Sequence, residues 1–366
     1  MAKAMSEGAN ASITIKDIAR VVGVSPTAVS RALNNYPDVG EETRRRILKV
    51  AEEMNYHPNA IARGLVRNKT DTIGLFVLGR SQAGFSDPFA FEVIIGVMEA
   101  VSAAGYDLVL FGAGGPGARP ISYVKKSRER RVDGVVIMGL RTDDPQLPGL
   151  SSLGMPCVLV DVDVEAPGVG FVGSDNIAGA KRAVEYLVSL GHGRIAFLNG
   201  HARATVSRER LQGYRLALME SGLENRPDYV VEGDFSAESG RRAADVLFGG
   251  GVEPAERPTA VFAASDLMAI GLMQAAREMG LSVPGDLSVV GFDDIGMASM
   301  VEPPLTTVRQ SRHLLGTNGA RLLIEALEKG RAPERLRLVT ELVIRGSAGK
   351  APNGKVGEAS TIKTLV

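Results

Sequence analysis

The chain has 366 residues, 45% of them hydrophobic, which is enough apolar material for two or three domains with separate cores. Lys and Arg together number 42, as do Asp and Glu, so the chain as a whole is neutral. It has no run of about 18 uncharged apolar residues, and residues 1–12 lack the apolar segment of a secretion signal, so we expect neither a transmembrane helix nor export.

Residues 14–33, TIKDIARVVGVSPTAVSRAL, predict two short helices joined by a tight turn. Thr14 is suited to cap the first helix, Gly23 ends it, and Ser25 and Pro26 begin the second as N-cap and first helical residue. The second helix leaves small residues and one arginine on its free face: Thr27, Ala28, Ser30 and Arg31. Such a face fits the major groove of DNA, although an ordinary helical hairpin with a solvated face has the same pattern.

A third helix is predicted over residues 41–54, with an apolar face of Ile47, Val50, Ala51 and Met54. Three such faces can close one compact core. Residues 13–70 contain ten Lys and Arg against six Asp and Glu, a net charge of +4. Because residues 1–12 cancel and the chain is neutral, the remainder carries −4. A basic module on an acidic body is the asymmetry expected of a protein that offers one end to phosphates.

Residues 59–70, NAIARGLVRNKT, follow Pro58 and precede the first predicted strand. Asn59 can cap a new helix, but the segment up to Val66 makes only about two turns, too short to be stable alone in water. From its residues alone, this segment is a polar linker.

From Asp71 onward, apolar strands alternate with amphipathic helices, which is typical of parallel sheets covered on both faces. The predicted strands are TIGLFVL, YDLVLFG, DGVVIMG, CVLVD, VGFVG, RIAFLNG, DYVVEG, TAVFAAS and LSVVGFDD. Helices are predicted around residues 89–104, 176–190, 207–221, 236–248, 266–279 and 311–329. Because these strands are too many to share one hydrophobic core, we expect two similar α/β lobes.

Residues 112–117 spell GxGxxG directly after a predicted strand, with Asp133 about twenty residues on, as in dinucleotide-binding folds. That fingerprint needs a helix opening on the glycines, whereas Pro116 and Pro120 interrupt this stretch. Asp133 also precedes a strand instead of ending one. We therefore predict a surface loop and no nicotinamide enzyme. Because no catalytic triad, paired carboxylates or Walker lysine emerge elsewhere, we predict no catalysis.

Cys157 is the only cysteine and lies in the strand-like run CVLVD, so we expect a buried thiol without a disulfide. The four histidines, at positions 57, 192, 201 and 313, lack the spacing of metal ligands. We therefore expect no metal and no cofactor, and a reducing cytoplasm suits the chain.

Several polar and aromatic residues lie where predicted strands end. Ligands of two-lobed α/β proteins bind at the carboxyl ends of strands, and a sugar requires charged or amide groups for its hydroxyls and an aromatic ring for its C–H face. The candidates of this kind are Phe85, Asp87, Phe89, Asp161, Ser265, Asp266 and Asp293. Asp266 is equally suited to cap its helix, Asp175 is more simply a cap and Asp294 a turn brace, and Phe89 also fits a core position.

Motifs in a distinctive order run along most of the chain: IKDIARVVGVSPTAVSRALN, ETRRRILKVAEEMNYHPNAIARGL, IGLF, DGVVIMG, DNIAGAKRAVEYLVSLGH, ASDLMAIG, LSVVGFDDI and PPLTTVRQ. Through them, residues 13–346 resemble the LacI/GalR family of bacterial transcription regulators. The resemblance implies a helix-turn-helix domain and a two-lobed sensor like periplasmic sugar-binding proteins, with crossovers between lobes near residues 173, 300 and 330. It also implies operator DNA and a small-molecule effector, expected to be a sugar, as partners.

For the DNA interface, the resemblance implies that Thr27 and Arg31 contact bases while Ser25 and Asn34 contact phosphates. Pro26 has no side-chain hydrogen bond to offer, so it would act through shape or apolar contact. Two further DNA-binding candidates are Thr14 and Ser30.

The family's hinge corresponds to the segment from Asn59, which would become helical when two copies meet on the operator. Leu65 would then be the wedge between base steps in the minor groove, beside Ala62.

For the effector site, Arg210 lies at the place of a ligand-binding arginine of the family, and Phe235 at that of a stacking aromatic. Ser265 stands where relatives often have an asparagine, which shortens the side chain. The GFSDPF loop resembles that of relatives answering to α-glucosides, so an α-glucoside is a candidate effector.

These inferences predict an α/β protein with a small all-α helix-turn-helix domain over residues 13–58 and a hinge over 59–70. A two-lobed parallel-sheet domain for effector binding and dimerisation follows over 71–346, with disordered tails at 1–12 and 347–366. Because the second tail has no leucine heptads, we expect a homodimer on a near-palindromic operator. The predicted function is a cytoplasmic, sugar-responsive repressor of carbohydrate-utilisation genes; the alternative is a sugar-binding transport protein without DNA binding.

Overall fold

The computed structural model describes residues 13–56, 69–78, 87–112 and 122–352. The chain divides between Thr70 and Asp71 into two compact units, each of which is considered by itself. Within the described residues, no helix has both the length and the apolar character to cross a membrane. In the same ranges, no three His, Cys, Asp or Glu side chains cluster as a metal site would require.

The first unit contains three helices, α1 (Ile15–Val22), α2 (Pro26–Leu33) and α3 (Glu41–Glu53). At the start of α1, the Thr14 backbone N–H donates to Asp17 Oδ2 (3.0 Å). Gly23 ends α1 in the left-handed conformation, at a φ of +77°. Ser25 Oγ accepts from the Ala28 N–H (3.1 Å) and caps α2. The predicted helix boundaries are therefore confirmed to within a residue, with the capping chemistry that predicted them.

The inner faces of these helices close one small core, whose buried side chains are Ile18, Ala19, Val22, Val29, Ala32, Ile47 and Ala51. Arg46 ties α3 to the end of α1, because its Nη2 donates to the Val22 carbonyl (3.0 Å). The predicted three-helix core is thus confirmed.

The loop between α2 and α3 is held by Arg44, of whose side chain only 17% is exposed. The Arg44 guanidinium donates to Asn35 Oδ1 (2.8 Å), to the Tyr36 carbonyl (2.5 Å) and to the Val39 carbonyl (3.4 Å). This surface loop therefore has a defined path from one helix to the next.

The second unit has two lobes, each built on a six-stranded sheet. The first sheet contains β1 (Thr72–Val77), β2 (Asp107–Gly112), β3 (Gly134–Met138), β4 (Cys157–Val160), β5 (Val169–Ser174) and β11 (Arg335–Leu338). Its order is β11-β5-β4-β3-β1-β2, and every pair is parallel. Helices α4 (Pro88–Ala103) and α10 (Arg312–Lys329) cover one face, and α5 (Tyr123–Arg130) lies on the other. Cys157 is fully buried in this lobe, as predicted, and burial raises the pKa of its thiol.

The second sheet contains β6 (Ile195–Asn199), β7 (Val230–Glu232), β8 (Ala260–Ala263), β9 (Ser288–Asp293), β10 (Thr306–Arg309) and β12 (Glu341–Val343). Its order is β12-β10-β9-β8-β6-β7, parallel except for the antiparallel edge strand β12. The helices of this lobe are α6 (Asn176–Ser189), α7 (Thr205–Glu220), α8 (Ala237–Phe248) and α9 (Asp266–Glu278).

The chain crosses between lobes at three places, between β5 and α6, between β10 and α10, and between β11 and β12. The first crossover lies where it was expected, but the other two come about ten residues later. The reason is that three short strands escaped prediction, β10, β11 and β12, and these strands border the two later crossovers; α5 was also missed. One of them, β11, alternates Arg and Leu along a sheet edge, so it lacks the apolar run of the central strands.

The tail predicted to be disordered from Ser347 is ordered over its first residues. Ser347 is fully buried, and its Oγ donates to the Val289 carbonyl (2.6 Å). The Ala351 N–H donates to the Leu190 carbonyl (3.0 Å), and His192 Nε2 lies 3.0 Å from the Gly349 carbonyl oxygen. The prediction of disorder is therefore wrong as far as residue 352, because hydrogen bonds to the second lobe order this segment and composition does not reveal them. The rest of the tail lies outside the described residues.

Candidate ligand cleft and nucleic-acid interface

A cavity of about 380 Å³ lies between the two lobes, at the carboxyl ends of their strands. Its polar lining residues are Asp87, Asp161, His201, Thr205, Arg210, Ser265, Asp293 and Gln310. Apolar side chains line more of its wall, including Val77, Leu78, Phe89, Leu110, Met138, Leu140, Val162, Val206, Phe235, Leu267 and Ile295. This volume falls within the range of small-molecule sites. Most of the predicted ligand residues thus meet in one place, although Asp266 does not line the cavity and Phe85 lies outside the described residues.

Arg210 projects from α7 to the cavity wall and is only 3% exposed. Its Nε donates to Asn176 Oδ1 (2.9 Å), and its Nη1 donates to the Ala264 carbonyl (2.5 Å). Nη1 also lies 3.8 Å from Asp293 Oδ1, and Cζ lies 3.8 Å from the centre of the Phe292 ring. Burial lowers the pKa of the guanidinium, and nearby carboxylates oppose that shift. Because arginine keeps its proton in proteins, this is a fixed cation at the cavity wall.

Asp293 ends β9 and is held by Gln310, whose Nε2 donates to Asp293 Oδ1 (2.5 Å). Burial raises the pKa of Asp293 to about 6, and Arg210 opposes the shift. Gln310 follows β10, and its Oε1 has no hydrogen-bond partner in the part of the chain that the structure describes. The sequence analysis missed Gln310 because it missed β10; the signal was a polar residue at the end of PPLTTVRQ.

Asp161 follows β4 with a left-handed φ of +62°. Its side chain is half-buried, and its Oδ1 finds no donor among the described residues. Burial raises the pKa of Asp161 to about 7, while Arg210 opposes the shift. The cleft therefore holds a carboxyl group that titrates near neutral pH.

Asp266 has a structural role. The N-cap of α9 is Ser265, whose Oγ accepts from the Met268 N–H (3.3 Å). Asp266 is fully buried, with Oδ2 accepting from the Ile295 N–H (2.8 Å) and Oδ1 from Thr307 Oγ1 (2.5 Å). Both predictions for Asp266, ligand contact and helix cap, are therefore corrected: its carboxylate joins the start of α9 to β10 and to the loop after β9.

Asp175 and Asp294 have the roles predicted for them. Asp175 Oδ1 accepts from the Ala178 N–H (3.1 Å) and caps α6. Asp294 accepts from Arg309 Nε (2.7 Å) and from Arg345 Nη2 (2.6 Å), so it braces the turn after β9.

The two aromatic candidates that the structure describes, Phe89 and Phe235, lie on opposite lobes. The Phe235 ring lies against Gly200, where a side chain would collide with it, and edge-on to His201 at a centroid distance of 5.6 Å. Phe89 packs against the core of the first lobe and also lines the cavity, so its core interpretation is confirmed and its ligand role stays a prediction. His201 is a lining residue that the sequence analysis did not single out.

The outer face of α2 is open to solvent. Ser25, Pro26, Thr27 and Arg31 are exposed, while Ser30 and Asn34 are half-buried. Asn34 Nδ2 donates to the Ser30 carbonyl (2.8 Å), and Ser25 Oγ and Thr14 are engaged in capping, so these groups serve their own helices first. The hinge candidates Asn59, Ala62 and Leu65 lie outside the described residues.

Arg31 extends from this face with 44% of its side chain exposed, but it is not alone. Its Nη2 pairs with Asp38 Oδ2 (2.7 Å), and its guanidinium carbon lies 4.8 Å from the centre of the Tyr36 ring. The sequence analysis did not identify these two neighbours, because both lie in the loop after α2.

Two family models match the chain: bacterial regulatory proteins of the lacI family over residues 14–59, and the periplasmic binding protein-like domain over residues 184–348. The HTH-type transcriptional repressor PurR of Vibrio campbellii (strain ATCC BAA-1116) is 36% identical over 340 residues, covering 92% of this chain and 99% of the relative. The solved complex of transcriptional regulator CelR with cellobiose is 35% identical, with a TM-score of 0.68 over 92% of this chain and 100% of that one. The lac repressor dimer bound to operator and the anti-inducer ONPF is 28% identical, with a TM-score of 0.79 over 92% of this chain and 99% of that one. From its motifs, its two-unit fold and these relatives, the chain belongs to the lacI family of bacterial regulatory proteins.

Proposed function

We propose that this regulator is a transcriptional repressor whose binding to operator DNA depends on a neutral sugar held in the cleft. The observation that carries the proposal is an exposed helix-turn-helix face in the same chain as a cavity with carboxylates around a buried arginine. In this proposal α2 enters the major groove with Thr27 and Arg31 at the bases, and the hinge brings Leu65 to the minor groove.

The chemistry of the cleft favours a ligand that donates hydrogen bonds and carries no negative charge. Three carboxylates, Asp87, Asp161 and Asp293, line it, against the single guanidinium of Arg210. Arg210 Nε, Arg210 Nη1 and Gln310 Nε2 each already donate a hydrogen bond within the protein, which leaves fewer donors for a ligand than the three carboxylates offer acceptors. Sugar hydroxyls supply donors, and the apolar walls suit the C–H faces of a pyranose ring. A sugar phosphate would place its charge among carboxylates and should bind weakly.

The similar structures support the proposed partners. The CelR structure holds cellobiose, and the lac repressor structure is a dimer with operator DNA and an anti-inducer. We therefore propose a homodimer on a near-palindromic operator, with a glucoside as effector. Preference for an α-glucoside stays a prediction, because residues 84–86 of the GFSDPF loop lie outside the described residues.

Contacts between the lobes offer a way for the ligand to act. Beside the cleft, the Thr142 N–H donates to the Arg203 carbonyl (2.8 Å), and Arg203 Nη1 pairs with Asp143 Oδ2 (2.9 Å). Near the crossovers, Arg337 of the first lobe pairs with Glu209 of the second at 3.1 Å. A ligand that contacts both lobes changes the stability of this arrangement of the lobes. It changes DNA binding only if its affinity differs between the state of the protein that binds the operator and the state that does not.

A mobility-shift assay on the gene's own upstream DNA, with and without cellobiose and other neutral sugars, tests the proposal. We expect a shifted complex whose amount changes with a neutral sugar and not with glucose 6-phosphate. The alternative is a sugar-binding transport protein without DNA binding, which the relatives do not favour because they are transcriptional repressors and regulators. Tight sugar binding without a shift on any upstream fragment would support that candidate instead.

Effector affinity should rise as the pH increases from about 5 to about 8. Burial raises the pKa of Asp161 to about 7 and that of Asp293 to about 6, so both carboxyls take up protons in mildly acidic solution. Hydroxyls that donate to these groups favour the ionised form, so binding releases protons. Conversely, the stability of the ligand-free protein should fall as the pH rises through the same two pKa values, because the folded state binds these protons more tightly than the unfolded chain does.

Calorimetric titration with cellobiose, in two buffers of different ionisation enthalpy, measures both the affinity and the proton release. Asp161→Asn should flatten the upper part of the pH profile. An affinity that falls toward pH 8 would contradict the prediction and show that the ligand needs a protonated carboxyl.

A further inference from the structure

We propose that Asp38 determines DNA specificity by holding Arg31 in the orientation that reads a base. This inference rests on the proposed function, in which α2 binds operator DNA. Asp38 lies outside α2, in the loop between α2 and α3.

The contact geometry links Asp38 to the exposed end of Arg31. Arg31 Nη2 lies 2.7 Å from Asp38 Oδ2, so the two side chains form an ion pair. The Tyr36 ring packs under the same guanidinium at 4.8 Å. Arg31 is therefore held at one edge and one face, while 44% of its side chain remains exposed.

The loop that carries Asp38 and Tyr36 is positioned well enough to act as a support. Arg44, largely buried, donates to three oxygen atoms of the loop and of its junction with α3. At the other end, the Tyr36 N–H donates to the Arg31 carbonyl (3.0 Å). The loop is thus tied to both helices, so Asp38 is presented to Arg31 from a defined position.

This ion pair has little to do with folding. Exposed pairs contribute little to stability because water and salt screen them, and 52% of the Asp38 side chain is exposed. A guanidinium has five N–H donors, and bidentate contact with guanine uses two of them, so Arg31 can read a base while one amine stays with Asp38. Holding the side chain in advance lowers the entropy lost when it meets that base.

The negative charge of Asp38 also acts on non-operator DNA. Without a matching base, Arg31 would gain mainly from phosphate contacts, and the adjacent Asp38 carboxylate offsets the charge that attracts it to phosphates. The carboxylate itself is repelled by phosphates. Asp38 therefore weakens binding to non-operator DNA while it supports the contact with the operator base. Both effects increase the ratio of operator affinity to non-operator affinity.

The test is fluorescence anisotropy with the full-length protein. One duplex carries the segment protected by the parent in footprinting of the gene's own upstream DNA, and a second duplex carries its scrambled sequence. Asp38→Asn should lower the ratio of the two affinities about tenfold, with non-operator binding tightened and operator binding not improved. Glu52→Gln removes the same charge from the exposed side of α3, away from Arg31, and should leave the ratio unchanged.

The double variant separates support of Arg31 from a simple charge effect. In an Arg31→Ala background, Asp38→Asn should no longer change the ratio, because the group it supports is gone. An unchanged ratio in Asp38→Asn, or an equal change with and without Arg31, would overturn the inference while leaving the proposed function intact. A parent protein that protects no DNA segment would instead overturn the proposed function, and this inference with it.

Discussion

Arg210→Ala should abolish the response to the effector while DNA binding in its absence persists. The guanidinium is the only buried cation that lines the described cleft, and the carboxylates of Asp293 and Asp161 both act on its charge. Without it, two acidic groups face the ligand with no compensating charge, and Asn176 loses its donor. Truncating a buried, hydrogen-bonded charge typically costs about 2–5 kcal/mol in binding, so we expect affinity to fall by about 30-fold or more.

Isothermal titration with cellobiose measures the affinity, and a mobility shift with and without the sugar measures the response. Arg208→Ala is the matched control, because Arg208 is an exposed arginine two residues earlier on α7 and does not line the cleft. Arg210→Lys keeps the charge without the planar set of donors and should give an intermediate loss. Parent-like affinity in a folded Arg210→Ala protein, with its thermal unfolding recorded, would remove Arg210 from the site.

Ile47→Ala should unfold the DNA-binding unit and abolish operator binding while sugar binding continues. Ile47 is fully buried in a small core that, among the described residues, has seven buried side chains. Replacing a buried isoleucine with alanine costs about 2–5 kcal/mol. A unit of this size is stabilised by only a few kcal/mol, at roughly 0.1 kcal/mol per residue, so that loss is comparable to its whole stability.

Limited proteolysis followed by mass spectrometry should show cleavage between residues 13 and 56, with the second unit left intact. The adjacent Leu48 is 47% exposed, so Leu48→Ala is the natural control and should preserve both folding and DNA binding. If Ile47→Ala bound the operator as the parent does, the small core would not be what positions α2.

The sequence alone predicted the helices of the first unit and nearly all the central strands of the second. Those features depend on neighbouring residues: Ser25 and Pro26 begin a helix through their own backbone chemistry, and apolar runs mark buried strands. Where that local signal was weak, prediction failed. The strands β10 and β11 are short and partly charged, and missing β10 also hid Gln310.

Other failures arose because a residue's role depended on distant partners. Asp266 has the sequence signature of a helix cap or a ligand residue, but its partner Thr307 comes 41 positions later. The tail after Ser347 has the composition of a disordered segment, yet its hydrogen bonds lead to Val289 and Leu190. The neighbouring residues in the sequence do not indicate either set of contacts.

Helix periodicity, capping residues and ordered motifs were therefore enough to identify a DNA-binding module joined to a two-lobed sensor, since each arises within a few residues of chain. Folding decided which polar side chains share the cleft, because that cleft joins segments from Asp87 to Gln310 across two lobes built from discontinuous stretches. It also decided that Arg31 is held by Asp38, since the intervening loop takes its path from Arg44 on the next helix. Electrostatic interactions and burial depend on distances in space, so these contacts are determined only in the folded tertiary structure.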